Sequence, residues 1–297
     1  MTRELLTEVR VKLSIHAHRK VRGMLEGEYG SIYKGRSMDF EDLREYVAGD
    51  DIKDVDWKAT ARSSHPLIRR FVAVRKHTIM VVVSTGRGMA AMADAETSKR
   101  EIAVFVAGVL GLTALRHGDL VCLVAGDSSG VEYVQPAGTT MHLERLLRTM
   151  VARIAVDGAE ADLAATLRFI ARNISRRSII VLLADAVEWT DEELRLLRRL
   201  AAQHEAIYVR VGDISPASLR LTSQAAYDVA SLATVPAFVR RDRALHADYA
   251  RALATSAANA AAQLSRIGIA SGSVSSEADV IPAVFGLLER HRRARRG

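Results

Sequence analysis

Residues 77–84 read HTIMVVVS, residues 120–125 read LVCLVA, and residues 178–184 read SIIVLLA. Each run is short, almost wholly apolar and rich in aliphatic residues, which is typical of a strand buried on both faces of a sheet. Stretches with helical spacing lie between these runs and are joined to them by short turns. This alternation predicts an α/β fold in which helices cover both faces of a mostly parallel sheet.

The rest of the chain extends the same pattern. Leu5, Val9 and Leu13 are spaced four residues apart, which predicts an amphipathic helix over 3–26. Helices are further predicted at 98–116, 141–154, 162–173, 191–203, 241–267 and 277–293, and strands at 130–134, 206–211, 226–230 and 271–274. A parallel sheet binds ligands beyond the carboxyl ends of its strands. The loops to inspect for a site therefore follow Val83, Ala125, Leu183 and Val211.

The composition excludes several classes of protein. Of the 297 residues, 49% are hydrophobic, which excludes a disordered chain. Cys122 is the single cysteine, which excludes an internal disulfide framework and a cysteine-rich zinc site. The start of the chain is charged and lacks a signal-peptide core, and the longest nearly apolar run, 102–115, is too short to cross a bilayer. We therefore expect a cytoplasmic protein without a membrane span.

The net charge of +7 is concentrated at the two ends of the chain. Residues 1–25 and residues 289–297 carry +4 each, so the remaining residues carry −1. A nucleic-acid-binding protein usually has its basic patch on the folded body, so this distribution argues against nucleic acid as the partner. The basic run that begins at His291 is interpreted as a solvated tail, with weak contact to an anionic surface as the alternative.

A segment of opposite charges precedes the first buried strand. Residues 39–56 hold eight carboxylates and two basic residues, whereas residues 57–76 hold six basic residues and no acid. Such neighbouring segments can pair with each other or with a partner of matching charge. We expect three parts in the chain, namely an N-terminal helix with this charged segment (1–76), an α/β domain (77–290) and a basic tail (291–297).

The charged segment also contains a specific pattern of residues. Residues 35–71 read GRSMDFEDLREYVAGDDIKDVDWKATARSSHPLIRRF. The pattern consists of an acid, Phe, Leu-Arg and Tyr, then Gly-Asp-Asp, then Asp-Trp followed by Ala-Arg. Its positions are Asp39, Phe40, Leu43, Arg44, Tyr46, Gly49, Asp50, Asp51, Asp56, Trp57, Ala61 and Arg62. Together with the strands that follow, this string resembles a bacterial family known as domain of unknown function 58, whose members are similar to von Willebrand factor A domains.

The resemblance implies both a fold and a function. The fold would be von Willebrand factor A-like, with an N-terminal helix and a charged, β- and turn-rich insertion added to it. Family members resemble adaptors and often occur beside AAA+ ATPases of the MoxR group. This implies a non-enzymatic, chaperone-like protein that binds such an ATPase and a client. The charged motif and the loops at the top of the sheet would be its contact surfaces.

Taken by themselves, the residues of the motif leave three interpretations open. Phe40, Leu43, Tyr46 and Val47 are spaced like one face of a short helix. The basic residues of the motif, Lys58 among them, can neutralise its aspartates, which would make the segment a self-paired structural element. The segment could instead bind a partner, or its carboxylates could hold metal ions. The last case gives a metal-dependent hydrolase built on Asp39, Glu41, Asp42, Asp50, Asp51, Asp54 and Asp56.

Von Willebrand A-like domains often hold a divalent ion at the top of the sheet, and the resemblance allows this site to be located. Its ligands are an Asp-x-Ser-x-Ser loop, a Thr and a second Asp. The corresponding positions here are Ser84, Gly86, Gly88, Ala161 and Asp185, so a single carboxylate remains. Hard cations need several oxygen ligands, and the neighbouring arginine adds repulsion. We therefore predict a degenerate site that binds no metal, and no cofactor elsewhere.

Overall fold

The computed structural model describes residues 4–16, 42–47, 52, 55–63, 65–70, 76–214, 226–235 and 242–294. None of the helices in these ranges combines the length and the apolar character that a membrane span requires.

In the residues that the structure describes, ten strands form one large sheet and two small ones. They are β1 (Asp42–Glu45), β2 (Leu67–Arg70), β3 (Thr78–Ser84), β4 (Leu120–Asp127), β5 (Gly130–Ala137), β6 (Ile179–Ala184), β7 (Glu205–Val211), β8 (Ala226–Tyr227), β9 (Thr234–Val235) and β10 (Ala270–Val274). The large sheet has the order β10–β7–β6–β3–β4–β5. Its neighbouring strands pair in parallel except β5, which is antiparallel to β4 at the edge.

Helices cover both faces of this sheet, so the predicted α/β architecture is confirmed. They are α1 (Leu5–His16), α2 (Trp57–Thr60), α3 (Lys99–Arg116), α4 (Thr140–Arg153), α5 (Leu163–Asn173), α6 (Asp191–Gln203), α7 (Arg243–Arg266) and α8 (Val280–Ala294). From residue 77 onward, the predicted bounds of each element agree with the structure to within three residues. The strongly apolar strands made this possible because burial on both faces leaves a continuous hydrophobic run.

Alternate residues of β3, a strand in the middle of the large sheet, face two separate cores. Val81 and Val83 belong to the core under α1, α3, α4 and α8. Met80 and Val82 belong to the core under α5, α6 and α7. This division follows from the two-residue repeat of a strand, and it places the strand ends, rather than the faces, in contact with solvent.

The N-terminal helix packs on the first of these cores. Leu6, Val9 and Leu13 are buried, as the four-residue spacing predicted. The carboxylate of Glu144 accepts hydrogen bonds from the first backbone N–H groups of α1, including that of Leu6 at 2.8 Å. The helix ends at residue 16 in the described part of the chain, and the predicted continuation over 17–26 lies outside it.

The charged segment forms a small antiparallel pair of strands instead of the short helix inferred from Phe40, Leu43, Tyr46 and Val47. In β1, Leu43 lies opposite Arg69 of β2, and the N–H of Tyr46 donates to the carbonyl of Pro66 at 2.9 Å. An isolated short helix is marginal in water, whereas pairing with β2 satisfies the backbone of this stretch. The helical interpretation was therefore wrong for 42–45.

The last helix reaches its predicted C-terminal end, since the prediction ended at residue 293 and α8 continues to Ala294. The solvated tail was predicted to begin at His291, which lies within this helix. His291 is buried, and its Nε2 lies 3.4 Å from a carboxylate oxygen of Glu205. Part of the basic run is therefore a packed last helical turn, because the imidazole finds an acidic neighbour on β7.

Candidate functional site

The candidate site lies at the carboxyl edge of the large sheet, between β3 and β6. The chain adds β4 on one side of β3 and then returns to add β6 on the other, so the loops after β3 and β6 diverge here. Such a switch point is where open α/β sheets bind ligands. The loop after β3 also meets the loop before α5, since the N–H of Arg87 donates to the carbonyl of Ala159 at 2.8 Å.

The structure brings together the five positions of the degenerate metal site. Ser84 is the last residue of β3 and is buried. A Cβ placed on Gly86 would lie 2.5 Å from the backbone nitrogen of Ala161, and one placed on Gly88 would lie 3.1 Å from Oδ2 of Asp185. These contacts show that the three loops close on one another, with no room for a side chain at Gly86 and little room for one at Gly88.

These residues do not fit a divalent ion. Gly86, Gly88 and Ala161 offer no side-chain oxygen, and a serine at position 86 would collide with the backbone of the facing loop. Hard cations prefer sites with several protein oxygen ligands, and among these five positions only Ser84 and Asp185 supply a side-chain oxygen. Within the described ranges, no group of three or more His, Cys, Asp or Glu side chains is arranged to hold a metal.

A lysine ammonium occupies the position next to the one remaining carboxylate. Lys99 is the first residue of α3, whose start is fixed by a capping box between Ser98 and Glu101. Its Nζ donates to Oδ2 of Asp185 at 2.8 Å and also to Oδ1 of Asp213. The side chain of Lys99 is only 2% exposed, whereas those of Asp185 and Asp213 are 27% and 45% exposed. The cation is thus internal, and the carboxylates separate it from solvent.

The two carboxylates keep this ammonium charged. Burial lowers the pKa of Lys99, but the charges and hydrogen bonds of Asp185 and Asp213 more than offset it, so the net pKa is raised above the ordinary value of 10.5. A buried ammonium that lacked such partners would be strongly unfavourable. Lys99 therefore carries its charge throughout the physiological pH range.

Sequence reasoning missed Lys99 and Asp213. Asp213 stands two residues after β7, in one of the four loops singled out for inspection, so its position could have been noticed. Lys99 opens a helix that is otherwise almost wholly apolar and buried, which was the available signal. Only the packing of three elements shows that these two residues and Asp185 meet.

A second ionic cluster lies at the end of β4. Asp127 accepts hydrogen bonds from the hydroxyl groups of Thr85 and Ser129, and Arg153 donates to it at 2.9 Å. Burial raises the pKa of Asp127, but these hydrogen bonds and the positive charge outweigh it and hold the pKa below its ordinary value. Since Thr85 follows β3, this cluster fixes the first loop to the neighbouring strand.

Arg87, the arginine that was expected to repel an ion, also fixes the loop after β3. Arg87 donates from Nε to the carbonyl of Ala230 at 2.9 Å and from Nη2 to Oε1 of Glu160 at 2.7 Å. It thereby joins the loop after β3 to the loop before α5 and to the β8–β9 turn. Arg87 is thus used to close the edge.

The motif residues of the charged segment are only partly described. Asp56 caps α2 by accepting the N–H groups of Lys58 and Ala59 at 3.0 and 3.1 Å. Trp57 of the motif is exposed to 66%. Arg44, Lys58 and Arg62 are also exposed, as are Leu43 and Tyr46. The motif positions Asp39, Phe40, Gly49, Asp50 and Asp51 lie outside the described residues.

The carboxylates proposed for a hydrolase gain no support from this picture. Of the seven, the structure describes the side chain of Asp56 alone, and that carboxylate binds backbone N–H groups at a helix start. This is the ordinary role of an N-cap aspartate. An N-cap contact is not the pairing of aspartates with basic side chains, so the self-paired and the partner-binding interpretations both stay predictions.

Comparison with known families supports the resemblance noted in the sequence. Residues 42–259 match a family described as protein of unknown function DUF58. An uncharacterised protein of Mycobacterium tuberculosis is 27% identical over 288 residues, which cover 95% of this chain and 88% of that protein. The match runs across residue 76, so the predicted division of the chain at that point stays a prediction.

Solved structures with similarity to this chain are von Willebrand factor A-type proteins and hypothetical bacterial proteins. A von Willebrand factor type A protein from Catenulispora acidiphila is 13% identical with a TM-score of 0.40; the alignment covers 74% of this chain but only 43% of that one. The conserved hypothetical protein BatB from Bacteroides thetaiotaomicron is 11% identical with a TM-score of 0.44, over 73% of this chain and 99% of that one. The strand order of the large sheet, with its antiparallel edge strand, is that of the von Willebrand factor A-like fold.

Proposed function

We propose that this chain, which belongs to the DUF58 family through its match over residues 42–259, is a protein-binding adaptor. Its partner, as the resemblance implies, is an AAA+ ATPase of the MoxR group that acts with it in the cytoplasm on a client protein. Binding would use the charged segment, with the loops at the carboxyl edge as a second contact. The proposal assigns no catalytic residue to this chain.

Exposed apolar side chains in the charged segment are the observation that carries this proposal. Within a short stretch, the structure leaves large apolar side chains at the surface, and they are Leu43, Tyr46, Val47, Ile52 and Trp57. Most large apolar residues of a folded chain are buried, and clustered exposure of this kind is typical of an interaction surface. Trp and Tyr are also the residue types that most often dominate the binding energy of an interface.

Charged groups surround these apolar side chains. Arg44, Lys58 and Arg62 are exposed, and Glu45 lies beside Arg44 on β1. A polar rim of this kind contributes to partner choice and to the rate of association more than to affinity. The combination of exposed aromatic residues and flanking arginines therefore favours a protein partner over a small molecule.

A binding measurement with purified MoxR-type ATPase tests the proposal. The Trp57→Ala variant should bind at least about fivefold more weakly than the unmodified chain, since truncating an aromatic anchor costs about 1 kcal/mol or more. Tyr249→Ala is the matched control, because Tyr249 is an exposed aromatic residue on α7, far along the chain from the motif. Titration calorimetry in the presence of nucleotide gives both affinities.

The possible outcomes test the location of the binding surface and the identity of the partner separately. Equal binding by the Trp57→Ala and Tyr249→Ala variants would move the interface away from α2. Failure of the unmodified chain to bind would exclude this class of ATPase as the partner. Charge reversal at Asp50 and Asp51 then examines the motif residues that lie outside the described ranges, and weaker binding would assign them to the same surface.

A further inference from the structure

The geometry points to Lys99 as a built-in cation: its ammonium takes the place of a divalent ion at the carboxyl edge and holds the loops after β6 and β7 on the start of α3. This inference concerns the closure of the edge and does not depend on the proposed adaptor function. Its chemical consequence is that removal of the ammonium should turn Asp185 and Asp213 into a site for a divalent cation.

The position of the ammonium is the first argument. Asp185 lies 86 residues and Asp213 lies 114 residues from Lys99 along the chain, yet one nitrogen contacts both carboxylates. A bound metal ion joins loops in this manner, by accepting oxygen ligands that come from different strands. Lys99 delivers the positive charge from a fixed helix start, so this closure needs no ion from solution.

Burial and charge are the second argument. Because Lys99 is 2% exposed, a carboxylate from a partner could not reach its ammonium, whereas a metal site of this type leaves one ligand position for the partner. One positive charge faces two carboxylates. The charge of Lys99 also contributes to lowering the pKa of a third carboxyl group, that of Asp228. The main cause of that lowered pKa is a hydrogen bond from Ser231. The anionic groups at this edge therefore outnumber the internal cation.

The glycine at position 88 is the third argument. A Cβ there would lie 3.1 Å from Oδ2 of Asp185, which is the oxygen that accepts the hydrogen bond from Lys99. Contacts this short are uncommon for a real Cβ, so a serine would require the Asp185 carboxylate to shift by a few tenths of an ångström. The absence of a side chain at Gly88 thus leaves space for the Asp185 oxygen that pairs with Lys99.

Thermal unfolding of Lys99→Ala with and without divalent ions tests the inference. The variant should melt at a lower temperature than the unmodified chain in chelator, because it leaves two neighbouring carboxylates without their cation. Millimolar Mn²⁺ should raise its melting temperature by about 4 °C or more, since a ligand of the native state stabilises it by mass action. The unmodified chain should show no such rise.

Lys12→Ala is a matched control. Lys12 also bridges two carboxylates, those of Glu8 at 3.3 Å and Glu277 at 2.6 Å, but it is partly exposed. Its removal should produce no Mn²⁺-dependent rise, which would separate a built site from general screening of acidic groups. A triple variant that combines Lys99→Ala with Asp185→Asn and Asp213→Asn should likewise lose the response.

Direct measurement of bound Mn²⁺ by electron paramagnetic resonance completes the test. Binding by Lys99→Ala that disappears in the triple variant supports the inference. Binding by the unmodified chain that depends on Asp185 would overturn it, because the ammonium would then leave room for the ion. If Lys99→Ala does not fold in any condition, Lys99→Gln decides the matter, since it keeps part of the apolar stem and removes the charge. Absence of Mn²⁺ binding by Lys99→Gln would then overturn the inference.

Discussion

The carboxyl edge of the large sheet and the charged segment are both rich in charged residues, but these residues have different roles in the two regions. At the edge, Lys99, Asp185 and Asp213 come from three distant parts of the chain and neutralise one another. In the segment, Asp56 binds backbone groups two and three residues ahead of it, and the neighbouring Trp57 is exposed. Long-range pairing fixes tertiary structure, whereas local capping fixes one short element and leaves side chains available to a partner.

The largest effect should follow from removal of both carboxylates at the edge. Asp185→Asn combined with Asp213→Asn leaves Lys99 buried without a negative partner, and we expect a loss of about 3 kcal/mol in the free energy of unfolding. Urea denaturation at neutral pH gives this value. Glu192→Gln is the control, because it breaks an exposed ion pair with Arg168 and should leave the midpoint unchanged. Equal midpoints for the two variants would mean that other contacts hold the edge.

The same double variant should reverse the pH dependence that Lys99 contributes. In the unmodified chain the raised pKa means that its contribution is complete below 10.5 and is lost as the pH rises through the higher folded value. Without the carboxylates, burial alone acts and lowers the pKa of Lys99, so stability should increase as the pH rises through that lowered value. Denaturation midpoints between neutral and alkaline pH distinguish these opposite slopes.

A smaller effect is expected at the glycine where two loops meet. Gly86→Ala should destabilise the protein by about 1–3 kcal/mol, because its Cβ would collide with backbone atoms of Ala161 that cannot move freely. Gly286→Ala is the opposite control: Gly286 lies within α8, the nearest atom to an added Cβ is the end of a flexible arginine, and alanine should stabilise the helix by about 0.5–1 kcal/mol. A tolerated Gly86→Ala would contradict the tight closure of the edge.

A substitution in the charged segment should destabilise only the element that contains it. Asp56→Ala removes the N-cap of α2 at a cost of about 1 kcal/mol. Because the capping contacts are local, amide hydrogen exchange should quicken in α2 while the strands of the large sheet keep their protection. A loss of protection that extended to β3 would show that the segment and the sheet unfold as one unit.

The smallest expected effect is a loss of stability in mild acid, and it comes from histidines around the large sheet and not from the charged segment. Burial lowers the pKa of His142, whose Nε2 donates to the carbonyl of Val121 and which also lies beside Arg145. Its contribution is present above its unfolded pKa of about 6.5 and is lost as the pH falls below that value. Burial acts in the same direction on His204. The sheet domain should therefore lose stability below neutral pH, and His142→Gln should reduce that loss in a denaturation series.

Much of the fold could be predicted because its signals are local. Apolar runs such as 178–184 identify strands buried on both faces, and Thr190 with the acids after it identifies the start of α6. The von Willebrand factor A-like fold was implied by the family resemblance and not by these runs. The helical interpretation around Leu43 failed because spacing in so short a stretch does not distinguish a helix face from a strand that pairs with β2.

The sequence by itself determined that positions 86, 88 and 161 offer no side-chain oxygen, because a glycine or an alanine has none in any fold. It also determined which loops to inspect, since a parallel sheet presents its strand ends to ligands. Only the tertiary structure decided which group pairs with Asp185. Lys99, Asp185 and Asp213 are far apart in the chain, and each has an ordinary local role at a helix start or after a strand. Their meeting depends on how α3 packs against β3, β6 and β7, which no local pattern of residues encodes.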